Sequence, residues 1–302
     1  MVLSIGISQS IRDQLAEILE SRTADFPLIY LGMPLHCGKL RANDWSLLIK
    51  KIVKKLVGLK AKLLIMARRA TLLNAIISPL VLFWMTNLIL LAGTIKNIDK
   101  LHRAFLWNGN KGNKVGKNLL NWITICRPKE VGGMRITNLK IQNQIIFCKW
   151  WWNVFKDNRK PWRELIQTRY YSNQIILLKQ PTTRKLLEVW RSMLKVQCLF
   201  QALVKFIVGN GKQILFWEDS WLLDQPIKER FPLLYIASSF KEITVAEAFE
   251  ISIINGWWSL IPLLNNHPDQ HTLEDMLKDI RLSNKSDSIN WKWFSAQTFS
   301  TK

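Results

Sequence analysis

Acidic residues are scarce. The 302 residues hold 22 Asp and Glu against 43 Lys and Arg, a formal net charge of +21. An imbalance of that size narrows the partners to a nucleic acid, an anionic membrane surface or an acidic protein. Cysteine is scarce too. Cys37, Cys126, Cys148 and Cys198 include no Cys-x-x-Cys pair, so they read as reduced, buried thiols of an intracellular protein. The start, MVLSIGISQS, lacks the basic region and long apolar core of a signal peptide. His267 and His271 flank Pro268 in HPDQH, which has no glutamate to act as a base and no third ligand near it. It reads as a solvated loop. No Ser/His/Asp or Cys/His arrangement follows from spacing. The sequence therefore assigns no catalytic residue and no metal ligand.

From Ala70 to Ile95 charge is missing altogether. The stretch is apolar enough to suggest a membrane span. Asn74, Ser78, Pro79, Thr86 and Asn87 interrupt it, and Lys/Arg flank both ends. Two buried core helices broken at Pro79 are the expectation, and no membrane is favoured.

Hydrophobic residues make up 48% of the chain, enough for a sizeable core. The basic charge is uneven. Residues 1–150 hold 23 Lys/Arg and 7 Asp/Glu, and the window Lys39–Ala70 holds ten basic residues opposed only by Asp44. Within it, Asn43 is the expected N-cap of a helix whose Trp45, Leu48, Ile49, Ile52 and Leu56 form one apolar stripe, with Gly58 ending it. Lys50, Lys51, Lys54 and Lys55 fall largely outside that stripe. Like charges at this spacing repel, and a phosphate backbone would relieve them. A solvated lysine face is the plainer alternative.

Ile11–Glu20 reads as a short helix, and Leu28–Leu31 as a strand ended by Gly32 and Pro34. Thr94–Trp107 reads as a helix. The loop Asn108–Asn118 is rich in Gly and Lys but has the wrong spacing for a phosphate loop. Leu139–Phe155 reads as a helix whose Trp150, Trp151 and Trp152 are better explained by core packing than by base stacking. Asn210-Gly211 between apolar runs predicts a hairpin over Phe206–Trp217. Thr244 and Glu247 form a capping box. Phe216-Trp217-Glu218-Asp219 has the look of an aromatic-x-Asp-Asp metal turn, but no partner carboxylate stands out and a surface turn is expected. Glu274-Asp275 would sit behind Thr272 at a helix start.

Taken in order, these motifs carry a resemblance. Tyr30, Leu31, Gly32, Pro34 and Leu35 spell Y-L-G-x-P-L. Arg69, Leu72, Leu73 and Asn74 follow, then Phe105-Leu106-Trp107, and then Trp122, Cys126, Arg127, Pro128, Lys129, Gly132 and Gly133. After these come Asn143, Lys149 and Trp150, and Gly209, Gly211, Phe216, Trp217, Asp219 and Trp221. The set resembles the region just after the polymerase core of plant LINE-type (non-LTR) retrotransposon reverse transcriptases, which are RNA-directed DNA polymerases.

The resemblance implies a mainly α (α+β) fold. A palm remnant with a primer-grip strand-turn would span 1–35, a helical thumb 36–95, a Trp-rich helical connection 96–205, and a C-terminal hairpin and helix region 206–302. It implies binding of primer–template nucleic acid through the backbone of an RNA–DNA or DNA duplex. Tyr30, Leu31 and Gly32 would hold the primer end. Lys50, Lys51, Lys54, Lys55, Lys60, Lys62, Arg68 and Arg69 would follow the phosphates. The family's magnesium-binding aspartates would lie upstream and its zinc-binding module downstream, so an inactive fragment without cofactor, nuclear in location, is expected. The alternative is a non-catalytic packing or protein-interaction module with a solubilising lysine face.

Overall fold

The structure is a computed structural model that describes residues 8–23, 27–35, 40–59, 63–109, 120–156, 161–171, 187–256 and 267–292. The fold is mainly α, with only short two-stranded sheets. In order the elements are α1 (Gln9–Ile18), β1 (Leu28–Tyr30), β2 (Met33–Leu35), α2 (Ser46–Gly58), α3 (Met66–Leu72), α4 (Ser78–Met85), α5 (Ala92–Asn108), α6 (Trp122–Cys126) and α7 (Leu139–Lys156). Then follow α8 (Pro161–Tyr170), α9 (Glu188–Lys195), α10 (Gln197–Leu203), β3 (Val204–Ile207), α11 (Ile227–Arg230), α12 (Pro232–Ala237), α13 (Val245–Asn255), α14 (Pro268–Leu277) and β4 (Ser288–Trp291). The chain divides into two compact units. Residues 1–144 with 187–189 form the first, and 145–186 with 190–302 the second.

In the first unit the expected stripe of α2 is inside: Leu48 and Ile52 are fully buried, and Trp45 and Leu56 nearly so. Asn43 is not the N-cap. A 3-10 turn over Ala42–Trp45 precedes α2, and the Asp44 carboxylate accepts from the Arg41 N–H at 2.7 Å. The chain is not broken at Pro79. Leu73–Ile77 form a π turn between α3 and α4, and Pro79 sits in the first turn of α4. A widened turn makes room for the proline ring, and the Ser78 hydroxyl donates to Leu73 O at 3.2 Å. The resulting Met66–Met85 segment is 20 residues long with mean hydropathy 1.3, apolar enough to cross a membrane. It is one-sided: Leu73, Ile77, Val81, Trp84 and Met85 are fully buried, while Leu82 and Phe83 are exposed. The expected apolar side of α1 does not find a core, since Ile11, Leu15, Ile18 and Leu19 are all exposed.

Two asparagines tie this unit together. Asn74 donates to Arg135 O at 2.9 Å and accepts from Thr137 N at 3.2 Å. Asn143, 3% exposed, accepts from Leu90 N at 2.7 Å and donates to Met85 O and Leu88 O. Gly133 cannot be replaced, because a Cβ there would lie 2.0 Å from Arg127 O.

In the second unit the tryptophans are core. Trp151, Trp190 and Trp217 are fully buried, Trp151 packs on Trp190 with ring centroids 5.1 Å apart, and Trp152 stacks on Trp291 at 5.5 Å. Buried indole N–H groups find carbonyls: Trp151 donates to Met193 O at 2.7 Å and Trp221 to Phe216 O at 2.9 Å. The Thr244–Glu247 capping box opens α13 as read.

The hairpin over Phe206–Trp217 does not form. β3 pairs antiparallel with β4, Val204 opposite Trp291 and Ile207 opposite Ser288. The loop between Ile207 and Ile214 instead wraps the buried Asp287 carboxylate, which accepts from Gly209 N at 2.7 Å, Gly211 N at 2.8 Å and Gln213 N at 2.8 Å. Three backbone donors on one anion outweigh a local turn preference. His267 and His271 are not in a loop either. His267 is the N-cap of α14, accepting from Asp269 N, and His271 lies on the helix, which starts at Pro268 rather than at Thr272.

Replacing Asp287 with Ala leaves those three N–H groups without their acceptor. Chemical denaturation should show a loss of about 3 kcal/mol or more in stability. A loss below about 1 kcal/mol would mean that water replaces the carboxylate without penalty.

Candidate nucleic-acid interface

The Y-L-G-x-P-L segment is a hairpin, not a single strand. Leu28 pairs with Leu35, Ile29 with Pro34 and Tyr30 with Met33, leaving Leu31-Gly32 as a two-residue loop. Both loop residues have positive φ, 49° for Leu31 and 79° for Gly32, the sign pattern of a type I′ turn. Leu31 bears that strain so that the turn can close; Gly32 bears none. Met33 is buried, whereas Ile29, Tyr30 and Leu31 are 59%, 58% and 74% exposed. The hairpin thus presents an apolar, aromatic tip.

The lysine face of α2 reaches this turn. Lys51 Nζ donates to Gly32 O at 2.9 Å. A side chain at position 32 would meet that ammonium, since a Cβ there would sit 2.5 Å from Lys51 Nζ. Glycine therefore serves twice, in the backbone conformation and in the close approach of the lysine. Lys50, Lys54 and Lys55 are exposed, and none of the four lysines reaches a carboxylate among the described residues. Together they make a short cationic surface continuous with the hairpin turn.

The other expected contacts part company. Arg68 is exposed on α3. Arg69 is half-buried and donates through Nη1 to Leu106 O at 3.1 Å and Trp107 O at 3.4 Å. It holds the last carbonyls of α5, where a cation also suits the helix dipole. Its guanidinium works inside the fold. Lys60, Lys62 and residues 110–119 of the Gly/Lys loop lie outside the described residues.

The acidic tetrapeptide is structural. Asp219 is 1% exposed; Oδ2 accepts from Leu215 N at 2.8 Å and Oδ1 from the Gln201 amide at 3.2 Å. Burial pushes its carboxyl up to about 7 despite those bonds. Glu218 pairs with Lys228 and accepts from Tyr235 Oη at 3.0 Å. This is neither the exposed surface turn expected nor a pair of carboxylates free to hold magnesium. Among the described residues no group of three or more His, Cys, Asp and Glu could hold a metal.

One cluster escaped the sequence reading. On α5, His102 is fully buried with no hydrogen-bond partner on either ring nitrogen among the described residues, and it packs on Trp122 at 6.2 Å between ring centroids. Arg103 lies over the same indole at 5.8 Å. Burial pushes the Cys126 thiol, on α6, up to about 12, with the nearby Asp99 charge adding to it, which disfavours the thiolate. Burial holds His102 down at about 4. The signal available was Asp99, His102 and Arg103 at helical spacing, but only the packing of Trp122 shows that His102 is sealed.

No family profile matches the chain. Over 203 residues it is 26% identical to a protein of Arabidopsis thaliana named as a candidate ribonuclease H protein, a match covering 65% of this chain and 32% of that protein. The chain spans about a third of the length of the curated relative it matches.

Two measurements check the geometry. Lys51→Met removes the tie to Gly32 O, and amide exchange in the Tyr30–Met33 hairpin should quicken about fivefold, with Lys51→Arg largely restoring protection. Unchanged exchange would show the ammonium to be unimportant to the turn. For His102, the unfolded state binds the proton near pH 6.5 and the folded state only near 4. Stability should therefore be complete above pH 6.5 and fall as pH drops toward 4, by up to about 3 kcal/mol. His102→Leu should flatten thermal stability across that window; an unchanged slope would assign it to other groups.

Proposed function

We propose that this chain is a nucleic-acid-binding module, the thumb-side portion of a retrotransposon reverse transcriptase of the LINE type. The tip Tyr30–Leu31–Gly32 meets a primer end, and Lys50, Lys54 and Lys55 neutralise phosphates along one strand of the duplex. Lys51 joins the two parts. The observation that supports this reading is the row of lysines with no carboxylate in reach among the described residues, fastened to the glycine turn by the Lys51–Gly32 bond. Similarity to a protein named for ribonuclease H favours the same class of ligand. Phosphate contacts of this sort position a duplex without reading its sequence. Any polymerase activity and its magnesium would belong to an assembly larger than the surface described.

An RNA–DNA hybrid titrated by fluorescence anisotropy across a salt series tests the proposal. Neutralising about six phosphates gives a slope of log K against log salt near −5. Charge reversal of Lys50, Lys51, Lys54 and Lys55 to Glu should abolish the binding. A flat salt response, or reversal without effect on the hybrid, leaves the lysine face as a solubilising surface beside a protein-interaction tip.

A further inference from the structure

The outward side of α2 carries more than lysines. Val53 and Val57 are 39% and 69% exposed, and both stand among the cations. Residues 50, 53, 54 and 57 are spaced i, i+3, i+4 and i+7, so Lys50, Val53, Lys54 and Val57 form one stripe, exposed at every position. Leu48, Ile52 and Leu56 make up the buried side of the same helix. A lone exposed valine is ordinary. Two valines in register with two ammonium groups make a repeat, in which charge and apolar surface alternate.

The same side is also short of acceptors. From Lys50 to Val57 the chain reads KKIVKKLV, and none of those side chains can accept a hydrogen bond. A ligand lying along the stripe meets donors and methyl groups in turn. It must offer anionic acceptors to the lysines and apolar surface to the valines, and a hydroxyl set against the valines finds nothing there to accept its proton.

We infer that this stripe distinguishes deoxyribose from ribose, so that the strand it follows is DNA. A nucleic-acid backbone alternates phosphate and sugar, as the stripe alternates ammonium and valine. The 2′-hydroxyl is the group that separates RNA from DNA at a given contact. Packed on Val53 or Val57, that hydroxyl loses its water and gains no acceptor. The methylene of deoxyribose has no hydrogen bond to lose and buries apolar area instead. The inference rests on the duplex reading above and goes beyond it. The lysines attract phosphates whatever the sugar, whereas Val53 and Val57 make the choice.

Anisotropy titrations of the whole chain with one sequence as DNA duplex, RNA–DNA hybrid and RNA duplex test it at a fixed salt concentration. The DNA duplex and the hybrid, each with a DNA strand to offer, should bind about tenfold more tightly than the RNA duplex. An RNA duplex also differs in shape, so the deciding variant is Val53→Thr with Val57→Thr. Threonine keeps the branched outline and adds a hydroxyl that donates and accepts. Both positions are exposed, so the variant should fold, as its helical circular dichroism would show. It should bind the RNA duplex about as tightly as the hybrid. Equal binding of hybrid and RNA duplex by the wild type overturns the inference. So does a preference that the double variant retains, which would assign the choice to duplex shape. Either result, with salt-dependent binding intact, leaves the duplex reading standing. Binding to none of the three duplexes removes both.

Discussion

Four lysines on two successive turns of one helix repel each other, and the face beneath them has to make up the difference. Lys50 with Lys54, and Lys51 with Lys55, are like charges at i,i+4, each pair costing a few tenths of a kcal/mol. Leu48 and Ile52 of the same helix are fully buried, and each contributes about 2 kcal/mol. Burial wins by nearly an order of magnitude. The helix can therefore carry uncompensated charge without fraying, and the charge is free to serve a ligand. Lys51 then turns part of that charge into geometry, because its ammonium fixes where the hairpin turn sits relative to the row.

Most of the motif residues that carry the sequence resemblance hold the fold rather than touch a ligand. Asn74 and Asn143 clamp backbone segments more than fifty residues away. Gly133 and Gly209 lie where any side chain would strike a carbonyl. Asp219 satisfies Leu215 N, and Trp221 satisfies Phe216 O. Such residues resist change because each replacement orphans a buried polar group or forces a clash. An ordered set of motifs is therefore a statement about architecture first. The proposed ligand surface rests on residues with no motif strength of their own, the lysines of α2.

What could be read from the sequence was what is local. The α2 stripe and the Thr244–Glu247 box are settled within one or two turns, and both stand as expected. The hairpin at Asn210-Gly211 was lost to partners 76 residues or more away, Asp287 and β4, which no local pattern announces. Arg69 looks like one more phosphate contact until the C-terminus of α5, 37 residues on, claims it. Pro79 signals a break, yet a π turn and the Ser78 hydroxyl absorb it.

Charge count alone would not single out α2, because lysines elsewhere are equally numerous and do something else. In the second unit Lys228 meets Glu218, Lys205 meets Asp224 at 3.1 Å and Lys278 meets Asp275. Exposed pairs of that kind add little stability, but they cancel the field that a polyanion would feel. On α2 nothing cancels it among the described residues. On the proposed reading, a duplex would be drawn by the arrangement of acids rather than of bases: among the described residues, carboxylates pair with these lysines of the second unit and not with those of α2.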